Sequence, residues 1–180
     1  NPGSIEVEAA GAASGSTVSI KNSDIVSTQG AVYGIRADTI TDSAFELRDS
    51  NVKAEGYTNG DAGGLVAENA SGNTGVLGGK LSFIAPVGSL DVIRAFARGT
   101  ENTGWFDHVE ISVPLLYFVH AERRANNNSL LVEGGTINAD LRCAESDQGT
   151  SASGNTMVMR GTTVNAGVLA TAEARAGEAD

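Results

Sequence analysis

The residues with the clearest chemical potential lie together in one short segment. Trp105, Phe106, Asp107 and His108 are consecutive, and they combine an aromatic surface with a carboxylate and an imidazole. A carboxylate beside an imidazole can transfer protons as an acid/base pair. Adjacent side chains of a strand point to opposite faces, however, and no nucleophile accompanies this pair. We therefore predict that Asp107 and His108 form a solvated loop pair without a catalytic role.

The same segment is the best candidate for a binding site, and two alignments with the neighbouring sequence remain open. In the first, Trp105 faces solvent beside Leu77, and the two form an exposed apolar patch suited to a sugar ring or a partner protein. In the second, residues 102–105 align with residues 73–76, which places Trp105 in the core and Asp107 at a bend. A slip of one residue exchanges the two faces of a strand. The candidate binding residues are Trp105, Phe106, Asp107, His108, Leu77 and Tyr117.

Other reactive residue types do not form a recognisable motif. His120 stands beside Glu122, Arg123 and Arg124, which we interpret as an exposed charged turn at a strand end. The serines include no Gly-x-Ser-x-Gly elbow, and the aspartates include no repeated Gly-rich calcium motif. The single cysteine, Cys143, excludes an internal disulfide and is predicted to be a small buried residue. We expect no catalytic residue, metal or cofactor.

The composition limits the fold and the partners. The chain has 180 residues, of which 41% are hydrophobic but only 5% are aromatic, so the core must consist of small aliphatic side chains. The 23 glycines and 3 prolines favour many tight turns. A formal net charge of −10 argues against nucleic acid or anionic lipid as a partner. No apolar run reaches the roughly 20 residues that a membrane-spanning helix requires.

A short phrase recurs along the whole chain. Its anchor is an aliphatic residue that follows a turn, and successive anchors are 27, 29, 28, 28 and 27 residues apart. Apolar residues also recur two residues after most anchors, which is the alternation of a half-buried strand. The six anchors are Ile25, Val52, Leu81, Val109, Ile137 and Val164.

The repeat predicts a β-solenoid. A residue that tolerates a left-handed conformation separates the two alternating runs in most copies, and this column contains Asn22, Asp49, Gly78, Gly134 and Gly161. A period of 27–29 residues leaves no room for a crossover helix, so each strand can pair in parallel only with the next coil. We predict an all-β fold of about six stacked coils, with residues 1–180 in a single domain.

Several phrases resemble one known group of proteins. Residues 128–137 and 154–164, together with 22–25 and 31–35 of the first coil, are similar to the coils of pectin-lyase-like β-helices. The closest resemblance in coil pattern is to autotransporter passengers and bacterial surface adhesins. It implies a right-handed parallel β-helix, but folds of this kind host many functions.

The resemblance implies a structural or adhesive protein at the cell surface or outside the cell, and not an enzyme. We expect either a fragment of a longer passenger or a filament subunit that stacks end to end on its own copies. Alternative partners are a glycan and a host or cell-surface protein. A polysaccharide-acting enzyme of the pectate-lyase-like type is the alternative function, although the outer column Asp24, Asn51, Lys80 and His108 contains only one carboxylate. An ice-binding solenoid is disfavoured because only Thr136 and Thr163 are expected to stack.

Overall fold

The computed structural model describes residues 7–27, 34–54, 61–148 and 151–174, and the regular structure within these ranges is entirely β-strand. The strands are β1 (Val7–Ser14), β2 (Thr17–Lys21), β3 (Asp24–Ser27), β4 (Ile35–Thr41), β5 (Ala44–Arg48), β6 (Asn51–Ala54), β7 (Asp61–Ser71), β8 (Thr74–Gly78), β9 (Ser82–Ile84), β10 (Ser89–Thr100), β11 (Thr103–Asp107), β12 (Glu110–Ala121), β13 (Arg124–Asn126), β14 (Ser129–Glu133), β15 (Thr136–Ser146), β16 (Thr156–Arg160), β17 (Thr163–Asn165), β18 (Leu169–Ala170) and β19 (Glu173–Ala174).

These strands stack into a parallel β-solenoid of about five turns, consistent with the right-handed parallel β-helix that the sequence predicts. Six strands form one parallel sheet in the order β16-β14-β11-β8-β5-β2. Thirteen strands form a second sheet, in which the long strands β10, β12 and β15 bend around corners and pair with more than one neighbour. The predicted all-β parallel solenoid is therefore confirmed, with about five turns in place of the expected six coils. No helix in the described ranges is long and apolar enough to cross a membrane.

The predicted period of the repeat is correct, but the anchor residues predicted for the third and fourth coils are wrong. Phe83 pairs with Val52 on one side and with Ile111 on the other. The anchor column therefore continues through Phe83 and Ile111, and not through Leu81 and Val109. Leu81 and Val109 instead occupy the preceding corner and are also buried. A buried corner residue is as apolar as a strand residue, which explains the misplacement.

The predicted bends are present, with one change of position. Asn22 and Asp49 have φ angles of 51° and 49°, and His108 occupies the equivalent position in the fourth coil with a φ of 53°. The bend of the third coil lies at Gly79, with a φ of 67°, and not at Gly78. At this point the strand must turn sharply, and the left-handed conformation costs Asn, Asp and Gly less than other residues.

A ladder of asparagine side chains lies where the strands of the six-stranded sheet begin, at the opposite end of each strand from the bend residues. The side-chain oxygen of Asn102 accepts hydrogen bonds from the main-chain and side-chain nitrogens of Asn73, at 3.0 and 3.1 Å. Asn128 binds Asn102 in the same way, and Asn155 binds Asn128. Each amide also donates to a carbonyl one coil earlier; for Asn73, Asn102, Asn128 and Asn155 these are Ile40, Ala70, Gly99 and Ala125. The ladder satisfies polar groups that the corner would otherwise bury unpaired.

The core is a continuous stack of apolar side chains between the sheets. Phe106 and Phe118 are fully buried, and their ring centroids lie 6.4 Å apart in an edge-to-face arrangement. Phe118 fits because Gly104 has no side chain: a β-carbon there would lie 2.6 Å from the phenyl ring. Cys143 is buried as predicted, and burial raises the pKa of its thiol to about 12.

Candidate functional site

The outer face of the six-stranded sheet carries a row of apolar side chains. Val76, Trp105, Leu131 and Val158 are register partners on four consecutive coils, and we name this row the Trp105 stripe. Trp105 is 36% exposed and Val158 is 46% exposed, whereas Val76 and Leu131 are half-buried. Because adjacent strands of a sheet lie about 4.8 Å apart, the side chains of the stripe recur at a regular spacing.

Charged and hydroxyl side chains flank the stripe. The guanidinium of Arg48 lies 5.0 Å from the centre of the Trp105 ring, and the indole Nε1 donates to Glu133 at 3.3 Å. On the other side, a column of hydroxyls contains Thr74, Thr103, Ser129 and Thr156. The expectation that only Thr136 and Thr163 stack is therefore wrong.

The structure decides between the two alignments of Trp105 and corrects part of each. Trp105 does pair with Val76, as the second alignment requires, yet it faces solvent and not the core. Phe106 and Leu77 pair with each other and are fully buried, so the expected exposed patch of Trp105 and Leu77 does not form. Tyr117 is buried on the thirteen-stranded sheet, away from the stripe.

Asp107 and His108 are brought together, although they were expected to point to opposite faces. His108 lies at the bend and not within the strand, and its Nδ1 is 2.5 Å from a carboxylate oxygen of Asp107. The imidazole side chain is 72% exposed. Asp107 also faces Arg48, at 3.7 Å. The pair is thus an exposed turn, in agreement with the predicted solvated position.

A second group of polar side chains lies on the thirteen-stranded sheet, where strands β10, β12 and β15 stack. Residues of these strands form two outward columns, one containing Asp91, Tyr117 and Arg142, the other containing Arg94, His120 and Glu145. Asp147 follows the end of β15, and Glu173 pairs with Glu145 from β19. We name these residues the buried polar cluster, because Asp91, Tyr117, His120, Arg142 and Glu145 are each at most 7% exposed.

His120 is the centre of the cluster. Its Nδ1 lies 2.9 Å from Asp91, and its Nε2 lies 2.7 Å from Asp147. Arg94 contacts both the imidazole ring and Asp91. Burial alone would lower the pKa of His120, but the hydrogen bonds to Asp147 and Asp91 outweigh it and raise the pKa to about 9. The hydrogen bond from His120 in turn lowers the pKa of Asp147.

Arg142 forms the second half of the cluster. Its Nε lies 3.0 Å from Glu145 and 2.7 Å from Glu173, and its Nη1 donates to the hydroxyl of Tyr117 at 3.2 Å. The Tyr117 ring stacks on His120, with ring centres 4.3 Å apart. Burial opposes the charged form of Arg142, but the hydrogen bond to Glu173 together with the charges of Tyr117, Glu145 and Glu173 outweighs burial and raises its pKa. The cluster therefore links four successive strands through charge-assisted hydrogen bonds.

The sequence interpretation of His120 as an exposed charged turn is wrong. Only the residues beyond Ala121, namely Glu122, Arg123 and Arg124, form the polar turn. One sequence pattern does indicate the cluster: Leu-polar-x-x-polar occurs three times, at residues 90–94, 116–120 and 141–145. The three copies pair with one another in the sheet. Within the described residues, His120, Glu145 and Asp147 also form the group that could hold a metal ion, since one ligand atom of each lies within 4.8 Å of the others.

Comparison with known proteins adds no assignment. No model of a protein family matches the chain, and no curated protein or solved structure matches it.

Proposed function

We propose that the chain is a rigid adhesive module, related to the pectin-lyase-like β-helices of autotransporter passengers and surface adhesins, that acts at the cell surface or outside the cell. The Trp105 stripe carries this proposal. Four apolar side chains lie in register on the outer face, two of them exposed, and exposed apolar patches mark interaction surfaces.

The ligand that we propose for the stripe is a neutral glycan. An indole ring offers an apolar surface for a sugar ring. The adjacent column offers hydroxyls at a regular spacing, from Thr74, Thr103, Ser129 and Thr156. Glu133 and Arg48 add a carboxylate and a guanidinium at the edge of the ring. The rigid backbone ladder presents all these groups without a loss of loop entropy on binding.

Fluorescence tests the proposal directly, since Trp105 is the only tryptophan in the chain. Titration with cello-, xylo- and chito-oligosaccharides should give a saturable change in the emission of Trp105. In calorimetry, the Val158→Ser variant should bind the active sugar more weakly, while Val26→Ser should bind normally. Val26 is a matched control because it is 62% exposed on the other sheet. No saturable change with any of these sugars would contradict a glycan-binding stripe.

A carbohydrate-active enzyme is the second candidate, and the buried polar cluster favours it. Asp91, His120 and Asp147 provide two carboxylates and an imidazole on adjacent coils. Against catalysis, Asp91 is fully buried and His120 is 7% exposed, so both are shielded from a polymer. Release of reducing or unsaturated ends from polysaccharides, lost in Asp147→Asn but kept in Asp107→Asn, would establish the enzyme in place of the adhesive module.

A further inference from the structure

We propose that His120, Glu145 and Asp147 form a binding site for a first-row divalent metal ion such as Zn²⁺. The site lies on the outer side of the thirteen-stranded sheet, away from the Trp105 stripe, and the inference is independent of the proposed adhesive function.

The three ligands converge because the solenoid stacks their coils. His120 of β12 and Glu145 of β15 are register partners, and Asp147 follows one residue beyond the end of β15. One ligand atom from each side chain lies within 4.8 Å of the other two. Ligands bound to one Zn²⁺ at 2.0–2.2 Å are separated by less than this, so small side-chain rotations bring all three to the ion.

A carboxylate behind the imidazole prepares His120 as a ligand. Asp91 is fully buried and lies 2.9 Å from Nδ1 of His120, and the hydroxyl of Ser89 donates to Asp91 at 2.8 Å. Because Asp91 holds the Nδ1–H, Nε2 is the nitrogen that faces Asp147, at 2.7 Å, and the one at which an ion replaces the proton. Metal-binding histidines almost always have such a partner on the second nitrogen, where it fixes the tautomer and the orientation of the ring.

The charge of the cluster also favours a divalent cation. Asp91, Glu145, Asp147 and Glu173 carry four negative charges, and Arg94 and Arg142 carry two positive charges. With a carboxylate on each ring nitrogen, His120 is the imidazolium in the metal-free protein, and the formal sum of these groups is −1. Metal binding releases protons from the ligands. A divalent ion that replaces the Nε2 proton of His120 brings the formal sum to zero.

Two guanidinium groups compete with the ion. Arg94 lies 2.9 Å from Nε2 of His120 and turns away when the ion binds, while it keeps its contact with Asp91. Arg142 contacts Glu145 at 3.0 Å and Glu173 at 2.7 Å, so it retains Glu173 when Glu145 turns towards the ion. The side chain of Asp147 is 37% exposed and gives the ion a route from solvent. One imidazole nitrogen with two carboxylate oxygens suits Zn²⁺ or Mn²⁺, whereas Ca²⁺ prefers oxygen ligands alone.

The chain contains only two histidines, which makes a sharp test possible. Protein treated with a chelator and dialysed is titrated with Zn²⁺ by calorimetry, and the imidazole resonances are followed by NMR. We expect one Zn²⁺ per chain and a change at His120 and not at His108. Asp147→Asn and Glu145→Gln should weaken binding by about 10-fold or more. His108→Gln and Glu133→Gln, which remove the exposed histidine and a distant carboxylate, should bind as the parent protein does.

Thermal unfolding provides a second readout that does not depend on a well-behaved variant. Zn²⁺ at ~100-fold excess over Kd should raise the Tm of the parent protein by about 5–10 °C. Ca²⁺ at the same concentration should leave the Tm unchanged. The proposal is overturned if Zn²⁺ fails to bind, if binding is lost in His108→Gln but kept in Asp147→Asn, or if Ca²⁺ binds equally well.

Discussion

His120 binds a carboxylate through each of its ring nitrogens: Nε2 lies 2.7 Å from Asp147, and Nδ1 lies 2.9 Å from Asp91. In metal-free protein both ring nitrogens therefore donate, which requires the imidazolium form. The two carboxylates come from different coils, so the protonated ring connects β10 and β12 to the residues that follow β15.

The first prediction concerns the pH dependence of stability. The folded-state pKa of His120 is raised from 6.5 to about 9, so its stabilising effect is complete below pH 6.5 and is lost as the pH rises to 9. The free energy of unfolding should fall over this range by up to about 3 kcal/mol. Urea denaturation in the presence of a chelator at a series of pH values measures the slope.

The other histidine serves as the control for this measurement. His120→Gln should flatten the pH dependence between pH 6.5 and 9, whereas His108→Gln, which alters an exposed ring, should retain it. A slope that survives the His120 substitution would show that other groups cause it.

The second prediction concerns the asparagine ladder. Asn102→Ala leaves the buried main-chain N–H of Asn73 and the carbonyl of Ala70 without their partners, and each unsatisfied group is costly. We expect a loss of about 3 kcal/mol in the free energy of unfolding. The matched substitution Asn165→Ala removes an exposed amide that bonds only to Asn138 and should cost less than about 0.5 kcal/mol. Equal losses in both variants would refute a structural role for the ladder.

The third prediction tests which side of β11 faces the core. Phe106→Ala removes a fully buried ring and should reduce the free energy of unfolding by about 3–5 kcal/mol. Trp105→Ala removes a partly exposed ring from the outer face and should cost about 1 kcal/mol. Chemical denaturation of the two variants distinguishes the faces, and the opposite ranking would mean that the register of this strand is shifted by one residue.

The fourth prediction concerns the close approach of Phe118 to Gly104. Gly104→Ala introduces a methyl group 2.6 Å from the phenyl ring and 2.8 Å from Leu130, so the core must shift. We expect a loss of about 1–3 kcal/mol, which is typical of overpacking. Thr103→Ala, on the adjacent outward position, should change stability little. A Tm for Gly104→Ala equal to that of the parent protein would show that the core has room at this point.

The repeat period, the fold class and the bends at Asn22, Asp49, Gly134 and Gly161 were predictable from the sequence. Stacked coils place equivalent residues in one column. The apolar pair Val18 and Ile20 therefore recurs in the next coil as Phe45 and Leu47. The bend at Asn22 likewise recurs at Asp49. The asparagine ladder had a signal as well, because Asn is followed by Thr or Ser at residues 73, 102, 128 and 155. Only the structure shows that these amides form hydrogen bonds from one coil to the next.

The sequence by itself determined that this chain winds as a parallel solenoid, since a period of about 27 residues with two-residue alternation permits no other pairing. Only the tertiary structure decided the register of Trp105 and the burial of His120. Apolar corner residues such as Leu81 resemble strand residues, and a shift of one residue exchanges inside and outside. Alternation predicts that His120 points outward. Its burial depends on Arg94 of β10 and on Asp147 beyond β15, which only folding brings to it.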